Sequence, residues 1–135
     1  MSDNIYDAVI LGAGVIGLAI SRKLSEEGKE VLIIEEQGQI GSVTSSRNSG
    51  VIHAGVYYDK ESLKAKFCPE GNKRIYEYCI SRAIPHLNTG KFIVATSNNE
   101  IEKLDNILNQ ANEAGVVDIE KVTGSYISDK EPLIK

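Results

Sequence analysis

Three glycines near the amino terminus have the spacing of a phosphate-binding turn. Gly12, Gly14 and Gly17 form a GxGxxG, and Glu35 follows Gly12 by 23 positions. In such a turn the first glycine makes the bend, the second lets the main chain approach a pyrophosphate, and the third lets a helix pack closely on a strand. An acid at that distance binds the ribose hydroxyls and repels a 2′-phosphate. The pattern predicts a dinucleotide site that disfavours NADP.

The elements that must position these residues lie on both sides of the turn. The apolar runs 8–11 and 31–34 predict two buried parallel strands. Between them a helix is predicted from Val15, with Gly28 as its stop. The first amides of that helix point at bound phosphates, so anion binding requires no lysine. An accidental glycine pattern would lack this order of strand, helix, strand and acid.

Composition limits the class of protein. At 135 residues with 41% hydrophobic content the chain fits one modest domain, and it is too short for a complete two-domain enzyme. The net charge is −4 and the chain has no long blocks of like charge, so the sequence gives no sign of a basic surface that would bind nucleic acid. Cys68 and Cys79 form no CxxC and no metal set, so they are expected to be reduced packing residues. With no targeting or membrane-spanning segment evident, the expected location is the cytoplasm, either free or peripheral to the inner membrane.

A hydroxyl-rich segment follows Glu35 and carries a family resemblance. The run TSSRNSG at 44–50 continues as VIHAGVYY at 51–58, and GKFIVAT follows at 90–96. This sequence resembles the second FAD-contacting segment of the D-amino-acid-oxidase superfamily of flavoenzymes. Within it, the chain looks most like L-2-hydroxyglutarate oxidases and dehydrogenases, and less like glycerol-3-phosphate dehydrogenases. The resemblance covers nearly the whole chain, but only about the first third of such an enzyme.

The resemblance implies FAD as the cofactor and assigns residues to it. Residues 44–48 are placed along the pyrophosphate and ribityl chain, and Gly50, Val51 and His53 beside the isoalloxazine. Glu36 reads mainly as a solvated turn residue at the edge of this set. The cofactor-binding residues are then Gly12, Gly14, Val15, Ile16, Gly17, Glu35, Glu36, Thr44, Ser45, Ser46, Arg47, Asn48, Gly50, Val51 and His53.

His53 is the candidate catalytic residue. Beside a flavin, a histidine could polarise or deprotonate the substrate hydroxyl, tune the flavin, or carry the cofactor covalently. The alternative is a histidine that is only hydrogen-bonded under the cofactor. The other histidine, His86, follows Pro85 in a polar loop and is expected to be structural or exposed.

The implied fold class is α/β: a Rossmann-like FAD-binding βαβ unit with a parallel sheet, plus the start of an α+β substrate domain. Residues 1–85 are assigned to FAD binding and 86–135 to the beginning of the substrate domain, with the carboxy-terminal remainder absent. An incomplete parallel sheet leaves an unpaired edge and exposed apolar faces. We therefore expect marginal stability, weak flavin binding, and a carboxy-terminal half or a second copy as partner.

The second half of the chain carries weaker local signals. An amphipathic helix with aromatics on its packing face is expected around Pro69, which should kink or restart it. Phe92–Ala95 is expected to form a strand, and Asn98 or Asn99 to cap a helix that ends at Gly115.

The resemblance implies oxidation of a small 2-hydroxy acid by hydride transfer to FAD, with oxygen or a quinone as electron acceptor. Oxidation of glycerol 3-phosphate or of an amine is the alternative within enzymes. A pure NAD-binding module and a non-catalytic truncated fragment are the alternatives outside them. A flavin absorption band distinguishes the flavoenzyme from an NAD module.

Overall fold

The computed structural model describes residues 5–134, which divide into two compact units, one ending at Val51 and the other beginning at Ile52. Over these residues the fold is a small α/β arrangement with one two-stranded parallel sheet and four α-helices. In chain order the elements are β1 (Ala8–Leu11), α1 (Val15–Glu26), β2 (Val31–Ile34), a 3-10 turn (Thr44–Ser46), α2 (Leu63–Ser81), α3 (Asn98–Glu113) and α4 (Gly124–Lys130).

The first unit is built on a βαβ crossover. Strand β1 pairs in parallel with β2, so that Ala8 lies opposite Val31 and Leu11 lies opposite Ile34. The Gly12 amide extends the ladder by donating to the Ile34 carbonyl at 2.7 Å. Both predicted strands and the predicted start of α1 are confirmed, but the predicted burial of the strands is wrong, since Val9 is 51% and Leu11 81% exposed.

Helix α1 ends in a Schellman motif at Gly28, as predicted. Gly28 has a φ of +79° and follows the C-cap residue Glu27. Its amide donates to the Ser25 carbonyl at 3.0 Å, and the Lys29 amide donates to the Leu24 carbonyl at 3.1 Å. These two bonds satisfy carbonyls that the helix leaves open, and the left-handed backbone between them suits glycine.

The same device ends α3. The Gly115 amide donates to the Asn112 carbonyl at 3.1 Å, and the Val116 amide donates to the Ala111 carbonyl at 3.0 Å. The predicted stop at Gly115 is therefore confirmed.

Helix α2 decides between two alternatives at Pro69 and corrects one expectation. It begins after Ser62, whose hydroxyl accepts the Ala65 amide at 3.1 Å, and it runs through Pro69 without restarting. A proline inside a helix removes one backbone donor and favours a kink, so the kinked helix remains the prediction. The prediction that aromatic side chains form the packing face of α2 is wrong. The helix buries the small residues Ala65 and Cys79, while Phe67 is 58% exposed.

Two further corrections concern 92–123. Phe92–Ala95 forms no strand, because a strand requires a partner ladder and none of the described segments pairs with it. The N-cap of α3 is Ser97, one residue before the predicted positions, and the Glu100 carboxylate accepts the Thr96 amide at 2.9 Å. Sequence analysis missed α4, which starts where the Thr123 hydroxyl accepts the Tyr126 amide at 3.3 Å.

The buried residues are few and mostly small. Large side chains of the βαβ unit remain open to solvent, with Leu11 81% and Ile16 73% exposed. Within 5–134, the buried apolar residues are Ala13, Val56, Ala65, Cys79, Ala111 and Ile127.

Among the residues described, none of the helices is long and apolar enough to cross a membrane.

Candidate dinucleotide-binding site

The glycine turn joins β1 to α1 by a close approach of backbone to backbone. Gly12 has a φ of +97°, a conformation that side chains disfavour. A Cβ on Gly17 would lie 2.0 Å from the Gly12 carbonyl oxygen and 3.3 Å from Ile10 Cγ2. The third glycine is therefore required for α1 to pack against the end of β1.

The start of α1 meets the hydroxyl-rich segment. The Ser45 hydroxyl accepts the Val15 amide at 2.9 Å, and a Cβ on Gly14 would lie 3.1 Å from the same oxygen. Helix geometry leaves the next amides, those of Ile16 and Gly17, without an intrahelical acceptor. The positive end of α1 and a serine hydroxyl thus lie at one place, where an anion would be stabilised.

Glu35 joins the end of β2 to the glycine turn. One carboxylate oxygen accepts the Ala13 amide at 2.6 Å, and the other accepts the Gln37 amide at 2.9 Å. The Gln37 and Ala13 amides hold the pKa of Glu35 below its ordinary value, because both stabilise the ionised form. A carboxylate has about four acceptor positions, so this half-buried group can still accept ribose hydroxyls.

A cleft of about 190 Å³ lies beside these groups. The loop forming its far wall is tied to the glycine turn by the Gly41 amide, which donates to the Ala13 carbonyl at 3.0 Å. Whole-ligand pockets have volumes of roughly 300–1,000 Å³, so the cleft has the size of one part of a dinucleotide. Its lining residues are Gly14, Glu35, Gly41, Ser42, Val43, Thr44 and Ser45.

The structure brings some predicted site residues together and leaves others at the margin. Gly14, Glu35, Thr44 and Ser45 line the same cleft. Asn48 organises the loop that follows, because its side-chain amide donates to the Ser45 carbonyl at 2.9 Å while its oxygen accepts the Gly50 amide at 2.8 Å. The marginal residues are exposed and lie outside the cleft lining: Glu36, Ser46, Arg47 and Val51.

His53 belongs to the second unit, which has its own contacts. The Tyr58 hydroxyl lies 3.3 Å from His53 Nδ1, and the Asn72 side-chain amide donates to the His53 carbonyl at 3.4 Å. His86 Nδ1 lies 2.8 Å from the Ile84 carbonyl, and its ring packs edge-on against Tyr76. The two histidines therefore have different kinds of partner on Nδ1.

Sequence analysis missed several residues around these groups. Ala13 and Gly41 contribute backbone hydrogen bonds to the cleft, and neither residue type indicates such a contact in the sequence. Tyr58 and Asn72 stand beside His53, but only α2 and the loop before it bring them there. The repeated tyrosines at 57 and 58 were the available signal for Tyr58, and they do not show which ring faces the histidine.

Comparison with known proteins places the chain in a family. The family model described as FAD dependent oxidoreductase matches residues 7–135, which is nearly the whole chain. The chain therefore belongs to the FAD-dependent oxidoreductases, and the predicted family and its cofactor, FAD, are confirmed at this level.

Curated relatives point to one branch of that family. The chain is 46% identical over 129 residues to an Arabidopsis thaliana protein named L-2-hydroxyglutarate dehydrogenase, mitochondrial, covering 96% of this chain and 27% of the relative. Proteins of the same name from Caenorhabditis elegans and Homo sapiens are 42% and 36% identical, with 94% and 97% of this chain covered. The chain spans 30% and 29% of those two relatives.

The donor set of the first unit fits part of FAD. Backbone amides at the start of α1 suit the pyrophosphate, the Glu35 carboxylate suits the ribose, and the absence of a Cβ at Gly14 leaves the amides accessible. The described residues hold no group of three His, Cys, Asp or Glu side chains that could hold a metal ion.

Proposed function

We propose that this chain is the FAD-binding amino-terminal portion of a flavoenzyme that oxidises a small 2-hydroxy acid of the L-2-hydroxyglutarate type. The observation that carries the proposal is the hydrogen bond from the Val15 amide to the Ser45 hydroxyl, which joins the hydroxyl-rich segment to the glycine turn. Family membership and the shared name of the relatives support the reaction class.

In this proposal the first unit holds the cofactor by its backbone and one carboxylate. The amides of Ile16 and Gly17 bind the pyrophosphate beside the Ser45 hydroxyl, which accepts the Val15 amide, and Glu35 accepts the ribose hydroxyls. Thr44–Ser46 and the residues up to Asn48 follow the pyrophosphate and ribityl chain. Residues 1–85 form the FAD-binding part, and 86–135 begin the substrate domain.

The chemistry requires a base and a hydride acceptor. When bound, FAD supplies the acceptor for the hydride that leaves the hydroxyl-bearing carbon. His53, which the family resemblance puts beside the flavin ring, takes the proton of the substrate hydroxyl, so that the carbon–oxygen single bond becomes a carbonyl. Oxygen or a quinone is the proposed electron acceptor, as the family resemblance implies.

Binding is tested by titrating the chain with FAD and following flavin fluorescence, with NADH as the competing nucleotide. FAD should bind, and Glu35→Ala should weaken its binding, whereas Glu27→Ala, at the carboxy-terminal end of α1, should leave it nearly unchanged. Tight NADH binding without any retained flavin band would instead identify an NAD-binding module.

Oxidation is tested under anaerobic conditions on the FAD-loaded flavoenzyme of which this chain is the proposed amino-terminal portion. L-2-hydroxyglutarate should bleach the flavin band, while its D-enantiomer and glycerol 3-phosphate should not. Bleaching by glycerol 3-phosphate alone would contradict the proposed substrate. Flavin binding without bleaching by any of these compounds would reduce the assignment to a nucleotide-binding fragment.

A further inference from the structure

The second unit contains a histidine–tyrosine pair in which Tyr58 has no assigned role. The Tyr58 hydroxyl lies 3.3 Å from His53 Nδ1, and the two ring centroids are 6.4 Å apart with an interplanar angle of 39°. This distance is at the long end for a hydrogen bond, as is common for catalytic hydrogen bonds before a substrate binds. The pair occupies Nδ1 of His53 and leaves Nε2 as the other nitrogen of the ring.

Two helices hold the backbone of this pair. The Gln110 side-chain amide, on α3, donates to the Tyr58 carbonyl at 2.8 Å, and the Asn72 side-chain amide, on α2, donates to the His53 carbonyl at 3.4 Å. The intervening Gly55 is buried against α2, since a Cβ there would lie 3.0 Å from Pro69 Cδ. The separation of the two side chains is therefore set by α2 and α3.

The Tyr58 ring has a contact of its own. The Lys64 ammonium, in the first turn of α2, lies 5.3 Å from the ring centroid, within the range of a cation–π interaction. Because both anchors of Tyr58, the carbonyl and the ring, are independent of its hydroxyl, removing that oxygen should leave the residue in place.

We infer that Tyr58 is the positioning residue for His53 and sets its tautomer. The inference rests on the proposed function, in which His53 Nε2 takes a proton and must therefore be unprotonated beforehand. The hydrogen of the neutral ring is then on Nδ1, where the Tyr58 oxygen accepts it. When Nε2 receives the substrate proton, both ring nitrogens are donors, and the Tyr58 oxygen continues to accept from Nδ1.

His86 provides an internal reference. A carbonyl oxygen can only accept, so the 2.8 Å contact of His86 Nδ1 with the Ile84 carbonyl requires the hydrogen on Nδ1. A hydroxyl can donate or accept, so the structure alone permits both tautomers at His53. The chain has two histidines, and both signals can be followed in one spectrum.

The test is ¹⁵N NMR of the chain labelled at histidine, in mildly alkaline buffer where imidazole is neutral. His86→Gln assigns the two signals. We expect His53 to carry its hydrogen on Nδ1, and Tyr58→Phe to move a large fraction of it to Nε2. Tyr57→Phe removes a neighbouring hydroxyl and should change neither histidine, and His86 should stay the same throughout.

Two NMR results would overturn the inference, provided that the amide spectrum of the variant remains dispersed. One is a wild-type His53 with its hydrogen on Nε2. The other is an unchanged His53 signal in Tyr58→Phe. In the FAD-loaded protein, Tyr58→Phe should slow flavin reduction roughly tenfold or more at an unchanged substrate dissociation constant. Loss of substrate affinity without slower reduction would contradict the positioning role.

The same measurements separate this inference from the proposed function. If the tautomer shifts as expected but no 2-hydroxy acid reduces the flavin, the proposed oxidation fails while Tyr58 still sets the state of His53. If flavin is reduced normally by L-2-hydroxyglutarate in Tyr58→Phe, the oxidation stands and the role of Tyr58 is refuted.

Discussion

At the scale of single residues, Glu35 has two connections to the site. Its carboxylate is the predicted ribose ligand, and it also accepts the Ala13 amide of the glycine turn. The second contact makes Glu35 part of the hydrogen bonding of the turn itself as well as of the proposed ribose site. This explains why a position 23 residues from Gly12 affects the geometry of the turn itself.

The ionisation of Glu35 gives a pH prediction. Hydrogen bonds from the Gln37 and Ala13 amides lower its folded pKa, so its contribution to stability is present above the unfolded pKa and is lost as pH falls through the folded pKa. Glu35→Gln should reduce the acid-induced loss of stability below the ordinary carboxyl range. Urea unfolding of the wild type and of Glu35→Gln across that range measures the difference.

Ser45 acts as a helix cap contributed from a distant loop. Ser45→Ala leaves the Val15 amide without its side-chain acceptor and should lower the free energy of unfolding by about 1 kcal/mol, the usual value for a lost N-cap. Ser46→Ala is the matched control, because the Ser46 hydroxyl only donates to the Val43 carbonyl within the 3-10 turn. Equal effects of the two substitutions, measured by chemical denaturation, would refute the capping role.

At the scale of elements, the packing of α1 on β1 depends on Gly17. Gly17→Ala should destabilise the chain by about 2 kcal/mol, because the new Cβ would lie 2.0 Å from the Gly12 oxygen and α1 would have to move. Gly71→Ala, inside α2 with nothing within 4 Å of the new Cβ, should instead stabilise by about 0.5–1 kcal/mol. Thermal unfolding of both variants measures the contrast, and a neutral Gly17→Ala would contradict it.

At the scale of the whole molecule, the small buried residues and the exposed Leu11 and Ile16 indicate low intrinsic stability. FAD binding to the folded state should then stabilise visibly, by about 2.7 kcal/mol at a hundredfold excess over the dissociation constant. Melting curves should shift with FAD and with ADP, which carries the ribose and phosphates. Riboflavin, which lacks them, should have no effect, and a shift by riboflavin alone would refute the assignment of the first unit.

The strands and helix ends could be predicted from the sequence because each depends on residues that are close together in the chain. Apolar runs, the glycine spacing and the helix stops at Gly28 and Gly115 each act within a few residues, so the βαβ crossover and two helix ends could be predicted. The predicted strand at Phe92–Ala95 is wrong because an extended segment forms a strand only by pairing with another segment, and such a partner is not a local feature of the sequence. The predicted aromatic packing face of α2 is wrong because the elements that pack against a helix decide which of its side chains are buried.

The sequence by itself determined the nucleotide-binding crossover, the acid at the end of β2 and the flavoenzyme family, because these are written in residue types at short spacing. Only the tertiary structure decided that Glu35 accepts the Ala13 amide, that Ser45 caps α1, and that Tyr58 faces His53. The first two contacts join residues 22 and 30 positions apart, and the third depends on two helices holding one loop. Such contacts arise from packing, which no local pattern encodes.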